Sequence, residues 1–584
     1  MQFHLNGYET GDPLVEHPHP SVAERAPGLP DEADVLIVGC GPAGLVLAAQ
    51  LANFPELRTV IVDRREGPLE VGQADGVACR TVEMFEAFGL ADRLLREAYW
   101  VNETSFWRAD ADDPDRIVRT GRVQDVEDGL SEFPHVIVNQ ARMLAYLRDH
   151  MERSAARLTP FYGLHATGVE IGEDGPVTVT LQHTDSPGET STIRARYVVG
   201  CDGSRSAIRS AIGRELKGDA TDEHWGVMDV LAVTDFPDIR LKCAVSSPKG
   251  NLLFIPREGG YLVRVYLELD EIDDREMLDG RSVTPERLAT VANRILSPYE
   301  FEVKDVGWWS VYEIGQRLCD AFDDAADPRV FIAGDACHTH SAKAGQGMNV
   351  SMADAYNLGW KLGAVLRGRA RPELLRTYST ERHAVAQELI DFDREFSRLF
   401  TGRAEAVDPE EFQRYFVAQG RFTAGVATRY APSLITAEAT HQHLAEGFPV
   451  GMRFHSARVL RLADAKPVEL GHVARADGAW RVYVFADADA VIDLRAVFQQ
   501  AHRELDVDAL PPALLPRKGA FGLIDYEKAF CPDPREEDIF DLRGIDRRGC
   551  AIVVRPDGYV ADVLPLDAHE ELAGFLDRVL LEAR

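Results

Sequence analysis

Four apolar residues, Val35-Leu36-Ile37-Val38, run directly into Gly39-Cys40-Gly41-Pro42-Ala43-Gly44, and an apolar stretch from Leu45 to Leu51 follows without interruption. Few folds accept that order. A buried strand, a glycine turn and an apolar helix make the first half of a parallel βαβ unit, in which the helix N–H groups face a pyrophosphate. Gly39, Gly41 and Gly44 are therefore expected to bind a dinucleotide. A second strand, Thr59-Val60-Ile61-Val62, ends in Asp63, nineteen residues after Gly44. An acid at that distance suits the adenosine ribose hydroxyls, and Arg64 beside it joins the expected site.

Two later segments repeat the theme of a short apolar strand ending in an acidic turn. Tyr197-Val198-Val199-Gly200 leads into Cys201-Asp202-Gly203-Ser204-Arg205. Arg329-Val330-Phe331-Ile332 leads into Ala333-Gly334-Asp335, and the chain continues through Gly345-Gln346-Gly347-Met348-Asn349. With all three motifs in this order, the chain resembles the single-component aromatic flavoprotein monooxygenases of the para-hydroxybenzoate hydroxylase and phenol hydroxylase type. The resemblance spans about residues 33 to 400 and continues more loosely to the C-terminus. It implies FAD as cofactor and NADPH as co-substrate.

On that resemblance Asp202 serves both nucleotides and Asp335 holds the ribityl chain. Gly345, Gly347, Met348 and Asn349 open a helix whose N-terminal dipole faces the flavin edge that gains negative charge on reduction. Gln140 matches a glutamine near the flavin, with Arg142 beside it. Arg80 would approach the phosphates or form a structural ion pair. Arg205, and with it Arg209, would contact NADPH or pair with nearby acids.

The chain has 584 residues and a formal net charge of −31, which argues against nucleic acid and anionic membranes as partners. Its eight cysteines are scattered without a CxxC or metal-ligand spacing, so reduced thiols, a cytoplasmic location and no bound metal are expected. The first thirty residues are polar and proline-rich rather than a signal peptide, and no apolar run is long enough to span a membrane.

The expected fold is α/β and α+β. Residues 31–217 and 316–445 form a Rossmann-like FAD-binding domain, interleaved with a mixed-sheet substrate domain at 218–315. Residues 1–30 are an N-terminal arm. Helical sequence is expected from Met348 to about 445. Residues 446–584 resemble the thioredoxin-like C-terminal domain of phenol hydroxylase relatives, without its CxxC, and the resemblance implies a homodimer.

Four residues bear on the substrate. Asp75 lies in the polar loop Gly72-Gln73-Ala74-Asp75-Gly76. The resemblance makes it the group that accepts a phenol proton; alternatively it caps a turn. Tyr266 would hydrogen-bond the substrate hydroxyl or the flavin, or else be a buried core tyrosine. Lys242 stands in an apolar strand, where burial is costly without an anionic partner. Lys242 and His135 together could bind a carboxylate, against the alternatives of an outward lysine and a satisfied histidine. The resulting expectation is an enzyme that converts 3-hydroxybenzoate to 3,4-dihydroxybenzoate with NADPH and O2 through a flavin C4a-hydroperoxide. The alternative is a phenol 2-monooxygenase or a hydroxylase of a larger substituted phenol. A Trp-x-Trp-x-x-Ile halogenase signature is not present; Trp308-Trp309 does not match it.

Overall fold

The computed structural model describes residues 2–25, 28–173, 175–269, 283–340, 345–401, 415, 417–486 and 495–581. Four parallel strands organise the first unit: Thr59–Asp63, Glu32–Val38, Thr190–Gly200 and Val330–Ile332. Val38 pairs with both Val62 and Gly200, and Gly200 pairs with Ile332. The ends of all four strands are thus level. The first glycine turn, Asp63, the Asp202 turn and the Asp335 turn emerge along one edge of one sheet, where open α/β sheets bind ligands.

The strands are apolar on both faces because helices cover them. Val35, Leu36, Ile37, Val198 and Val199 are fully buried. The helix Pro42–Leu51 packs on the helix Gly347–Leu366. The expected antiparallel region between 160 and 200 is present as Leu164–Glu170, Val177–His183 and Thr190–Gly200. The helical expectation toward 445 holds through Arg376–Thr401; residues 402–414 lie outside the described part. After the short helix Gly420–Thr423 the chain runs as turns, consistent with Gly425 at φ +75° and with Pro432.

A second sheet has eight strands, in the order His338–Thr339, Phe301–Cys319, Leu216–Thr234, Leu262–Glu268, Gly250–Pro256, Lys242–Ser247, Glu103–Ala109 and Ile117–Gln124. The last two strands belong to a stretch that the sequence reading places in the first unit. Glu103–Ala109 joins parallel to Lys242–Ser247, so the sheet draws on two distant segments. Alternation along each strand sorts its faces. Cys243, Phe254 and Val265 face a core shared with the helix Pro285–Ile295. Phe106, Ala244, Leu253, Tyr266 and Val227 face the helices of the first unit, meeting Leu389 and Phe392.

The C-terminal unit is a seven-stranded mixed sheet followed by the helix His569–Val579. Its central strands Arg481–Ala486, Arg495–Phe498 and Ala529–Pro532 are parallel, and Cys550–Val554 and Val560–Leu564 continue antiparallel. Cys531 and Cys550 are buried free thiols. The C-terminal unit meets the first unit through Trp480 against Trp360, ring centroids 5.9 Å apart, and through the buried ion pair of Arg555 with Glu381.

Candidate active site

The nucleotide end of the site is a backbone cradle. Gly39 has φ +110°, and a Cβ there would stand 2.3 Å from Cys201 O, so this turn requires glycine. Gly44 is equally confined: a Cβ would lie 1.8 Å from Gly39 O. Gly41 faces open space, and it caps the helix Pro42–Leu51 with no side-chain hydrogen bond, leaving the first N–H groups open to a ligand.

Asp63 is buried at the strand end. It accepts hydrogen bonds from Cys40 N (2.6 Å), Arg65 N (2.8 Å) and Arg65 Nε (2.9 Å). Burial alone would raise its carboxyl, but the Arg65 and Cys40 hydrogen bonds more than offset this and hold it below the usual range. The guanidinium at Asp63 is therefore Arg65. Arg64, expected here, is exposed.

At the second turn the Asp202 carboxylate is consumed by its own helix start, accepting from Ala207 N (2.7 Å) and Ile208 N (3.2 Å) as well as Ser206 Oγ. Arg205 is exposed. Arg209 is buried and donates to Ser204 O (2.8 Å) and Ala336 O (3.1 Å), which ties the second turn to the third. Asp335 is exposed on the third turn, with Ser351 Oγ 3.5 Å away. Beneath it the buried Asp354 accepts from Arg382 Nε (2.6 Å) and bonds His338 Nε2 (2.8 Å).

Gly345 has φ +65° and open space at its Cβ position, and the helix Gly347–Leu366 likewise begins without a side-chain cap. Two helix starts without side-chain caps, open space at the Cβ positions of Gly41 and Gly345, and an exposed Asp335 on one sheet edge fit a dinucleotide such as FAD. Met348 is buried at that helix start.

Four residues expected near the cofactor hold protein groups. Asn349 donates to Gly345 O (2.9 Å) and Gly76 O (3.1 Å) and accepts from Ala78 N (2.9 Å) and Thr81 Oγ1 (2.7 Å), so its amide braces two loops. Gln140 Oε1 accepts from Gln73 N (2.9 Å) and Ala74 N (3.3 Å), which fixes the loop carrying Asp75. Arg80 points away from the cradle, to Glu83 (2.9 Å) and to Asp557 O of the C-terminal unit (2.6 Å). The structure places Arg80 in an ion pair with Glu83, its guanidinium filling an interdomain seam. Arg142 pairs with Glu97 at 2.6 Å.

Register places Lys242 and Tyr266, two of the residues expected to meet substrate, in adjacent rows on one face of the second sheet. Thr104, Lys242, Ile255, Arg264 and Asp229 form one row. Phe106, Ala244, Leu253, Tyr266 and Val227 form the next. Asp75 reaches the first row from its loop. Its Oδ2 is buried without a hydrogen bond, 3.2 Å from Arg264 Nη1 and 3.5 Å from Arg257 Nη1. Asp229 holds both arginines, accepting from Arg264 Nε (2.7 Å) and Arg257 Nη1 (2.9 Å), and Arg264 also donates to Gln73 O. Tyr266 is buried beside this cluster. Burial and then the Asp75 charge push its hydroxyl up to about 12.

At the other end of the row Lys242 and His135 do come together, around a residue that the sequence reading missed. Asp125 accepts from Lys242 Nζ (3.0 Å) and Thr104 Oγ1 (3.0 Å), and it bonds His135 Nδ1 (2.9 Å). Arg257, Arg264 and Asp229 were also missed. Arg264 carried a readable signal, since it stands two residues before Tyr266 and so shares its strand face.

The FAD binding domain family matches residues 32–393, and the phenol hydroxylase C-terminal dimerisation domain family matches 428–490 and 486–584. A 3-hydroxybenzoate 4-monooxygenase of Comamonas testosteroni is 55% identical, with 99% of each chain covered. A phenol 2-monooxygenase of Aspergillus fumigatus is 36% identical over 94% of this chain and 96% of its own. Among solved structures, aklavinone-11 hydroxylase in complex with FAD and aklavinone superposes with a TM-score of 0.69 at 23% identity, over 94% of this chain and 99% of the other.

Proposed function

The chain belongs to the single-component FAD-dependent aromatic monooxygenases, and from that membership we propose that it hydroxylates 3-hydroxybenzoate at the carbon ortho to its hydroxyl, giving 3,4-dihydroxybenzoate. The observation that carries this reading is the charged row. The anion-accepting pair Lys242 and His135 and the phenol-directed group Asp75, Arg264 and Tyr266 are separated by the single apolar residue Ile255. Strands lie about 4.8 Å apart, so Lys242 and Arg264, two strands apart, leave about 10 Å between backbones. One benzene ring with a carboxylate at one end and a hydroxyl at the other bridges that gap over Ile255.

FAD, when bound, supplies an electrophilic oxygen atom from O2 after taking electrons from NADPH. Gly39, Gly41, Gly44 and Asp63 would hold its adenosine and phosphate end, and Asp335 and the helix start at Gly345–Met348 its ribityl and ring end. The orphaned Asp75 Oδ2 accepts the phenol hydrogen, and Tyr266 hydrogen-bonds the same oxygen. Drawing the proton toward Asp75 pushes electron density into the ring at its ortho carbon, the position that an electrophilic oxygen would meet. Arg264 and Arg257 hold the Asp75 carboxyl in place. Tyr266 remains a neutral donor at working pH, because its hydroxyl is pushed up to about 12. The enzyme works in the cytoplasm as a homodimer formed through the C-terminal unit.

The test is oxygen and NADPH consumption by the FAD-loaded protein with 3-hydroxybenzoate and phenol in parallel, followed by product identification. Stimulation by 3-hydroxybenzoate with 3,4-dihydroxybenzoate as product supports the reading. Stimulation by phenol alone discards the Lys242 and His135 role and leaves the Asp75 chemistry.

A further inference from the structure

Asp125 does more than satisfy two cations. Its side chain is 3% exposed, and it accepts from Lys242 Nζ and Thr104 Oγ1 on one oxygen and bonds His135 Nδ1 on the other. Burial alone would raise the carboxyl, but Lys242 and His135 outweigh it and hold Asp125 well below the usual carboxylate range. The Asp125 carboxylate, 3.0 Å from Lys242 Nζ, offsets the charge of Lys242. The pair offers a second anion no net attraction.

His135 has one nitrogen left. Nδ1 faces a carboxylate and so carries hydrogen. Nε2 faces Gly76: a Cβ on Gly76 would stand 3.4 Å from it and 3.8 Å from Gly345 O, at the mouth of the flavin cradle. A neutral imidazole with hydrogen on Nδ1 presents a lone pair at Nε2, which repels a carboxylate. Only the imidazolium donates from both nitrogens.

We propose that the substrate carboxylate enters this site together with one proton, taken from solvent onto His135 Nε2, and that Asp125 is the positioning residue that imposes this requirement. The imidazolium is then bracketed by two carboxylates, and Lys242, His135, Asp125 and the substrate carboxylate sum to zero charge. A neutral phenol asks for no such proton. The other titratable groups around His135 do not supply one. The Cys79 thiol, which senses Asp125, is pushed up to about 12 by burial, and Asp75, beside Gly76, faces Arg264 and Arg257. The inference rests on 3-hydroxybenzoate being the substrate.

The experiment uses the FAD-loaded enzyme and follows the flavin absorbance change on binding 3-hydroxybenzoate or its uncharged amide, 3-hydroxybenzamide, from pH 6 to 9. The Kd of the acid is expected to rise on an alkaline limb by about tenfold per pH unit, the slope of one linked proton, while that of the amide stays flat. Calorimetry in buffers of different ionisation enthalpy should count about one proton taken up with the acid on that limb. In Asp125→Asn the limb should vanish, because the carboxylate that offsets Lys242 is then gone. In His135→Gln it should also vanish, with the acid held at its weak, high-pH affinity. Parallel acid and amide profiles in the wild type, or an undiminished slope in Asp125→Asn, overturn the proposal while leaving 3-hydroxybenzoate as substrate. A flavin that responds to neutral phenols and never to 3-hydroxybenzoate overturns the substrate reading and this proposal with it.

Discussion

Arg555 Nη1 of the C-terminal unit donates to Glu381 Oε1 of the helix Arg376–Thr401 at 2.7 Å, with both side chains buried. Glu381 also accepts from Lys361 Nζ at 2.9 Å, and Asp557 closes the cluster on Arg555. Cutting one partner out of such a buried group strands the remaining charges, at a cost of about 3–5 kcal/mol. Arg555→Met is therefore expected to lower the thermal midpoint by several degrees. Calorimetry of wild type and variant checks it; an unchanged midpoint would show that the seam contributes nothing.

The same cluster gives an acid limit. Burial alone would raise the Glu381 carboxyl, but Arg555 and Lys361 bring it down from 4.5 to about 2. A folded-state value below the unfolded one means that stability is present above 4.5 and is lost as pH falls from about 4.5 through 2. Denaturant titrations of wild type and Glu381→Gln should converge over that window and stay apart at pH 6. A constant gap would remove Glu381 from the acid response.

Arg80 separates a seam role from a cofactor role. Arg80→Gln should leave FAD affinity, read by flavin fluorescence, within about twofold, since the guanidinium touches Glu83 and Asp557 O instead of the cradle. It should cost about 1–3 kcal/mol of stability by leaving buried acceptors unpaired. A large loss of FAD affinity with normal stability would return Arg80 to the phosphates.

Tyr266→Phe removes one hydroxyl from the apolar row. kcat should fall about 10- to 100-fold for every phenolic substrate, within the range of a positioned proton-handling group, with the flavin spectrum unchanged. Rapid-quench measurement of the hydroxylation step would expose the opposite result, a change in binding alone.

Lys242→Met should raise the apparent KM for 3-hydroxybenzoate, by about 2–5 kcal/mol of binding if the contact is desolvated, and leave phenol unaffected. Equal effects on both substrates would mean that the lysine only shapes the sheet.

The cradle was legible because its chemistry is local. A strand, a glycine turn and a helix start lie within ten residues, and their spacing alone says that a backbone will approach phosphate. Lys242 was half legible: an amine in an apolar strand demands an anion. The anion is Asp125, in the stretch Gln124-Asp125-Val126-Glu127-Asp128, which reads like any solvated acidic turn. Only the pairing of Thr104 with Lys242 brings it inside. Arg80 was half legible as well: a phosphate contact and a structural ion pair both stayed open, because the direction of its guanidinium depends on Asp557, far along the chain. Asn349 and Gln140 lie in the expected neighbourhood, yet their amides serve the loops.

The parallel pairing of Glu103–Ala109 with Lys242–Ser247 has a consequence for how these enzymes can be recombined. A cassette exchange of residues 218–315 between relatives would carry Lys242 and Tyr266 but leave behind the edge strands, Thr104 and Asp125. The newcomer lysine would meet a foreign counter-ion, and the acid-or-neutral preference of the chimera would follow neither parent. On the proposed site, the residues that would sort acid from neutral phenol come from two separate stretches of the gene, and they have to travel together.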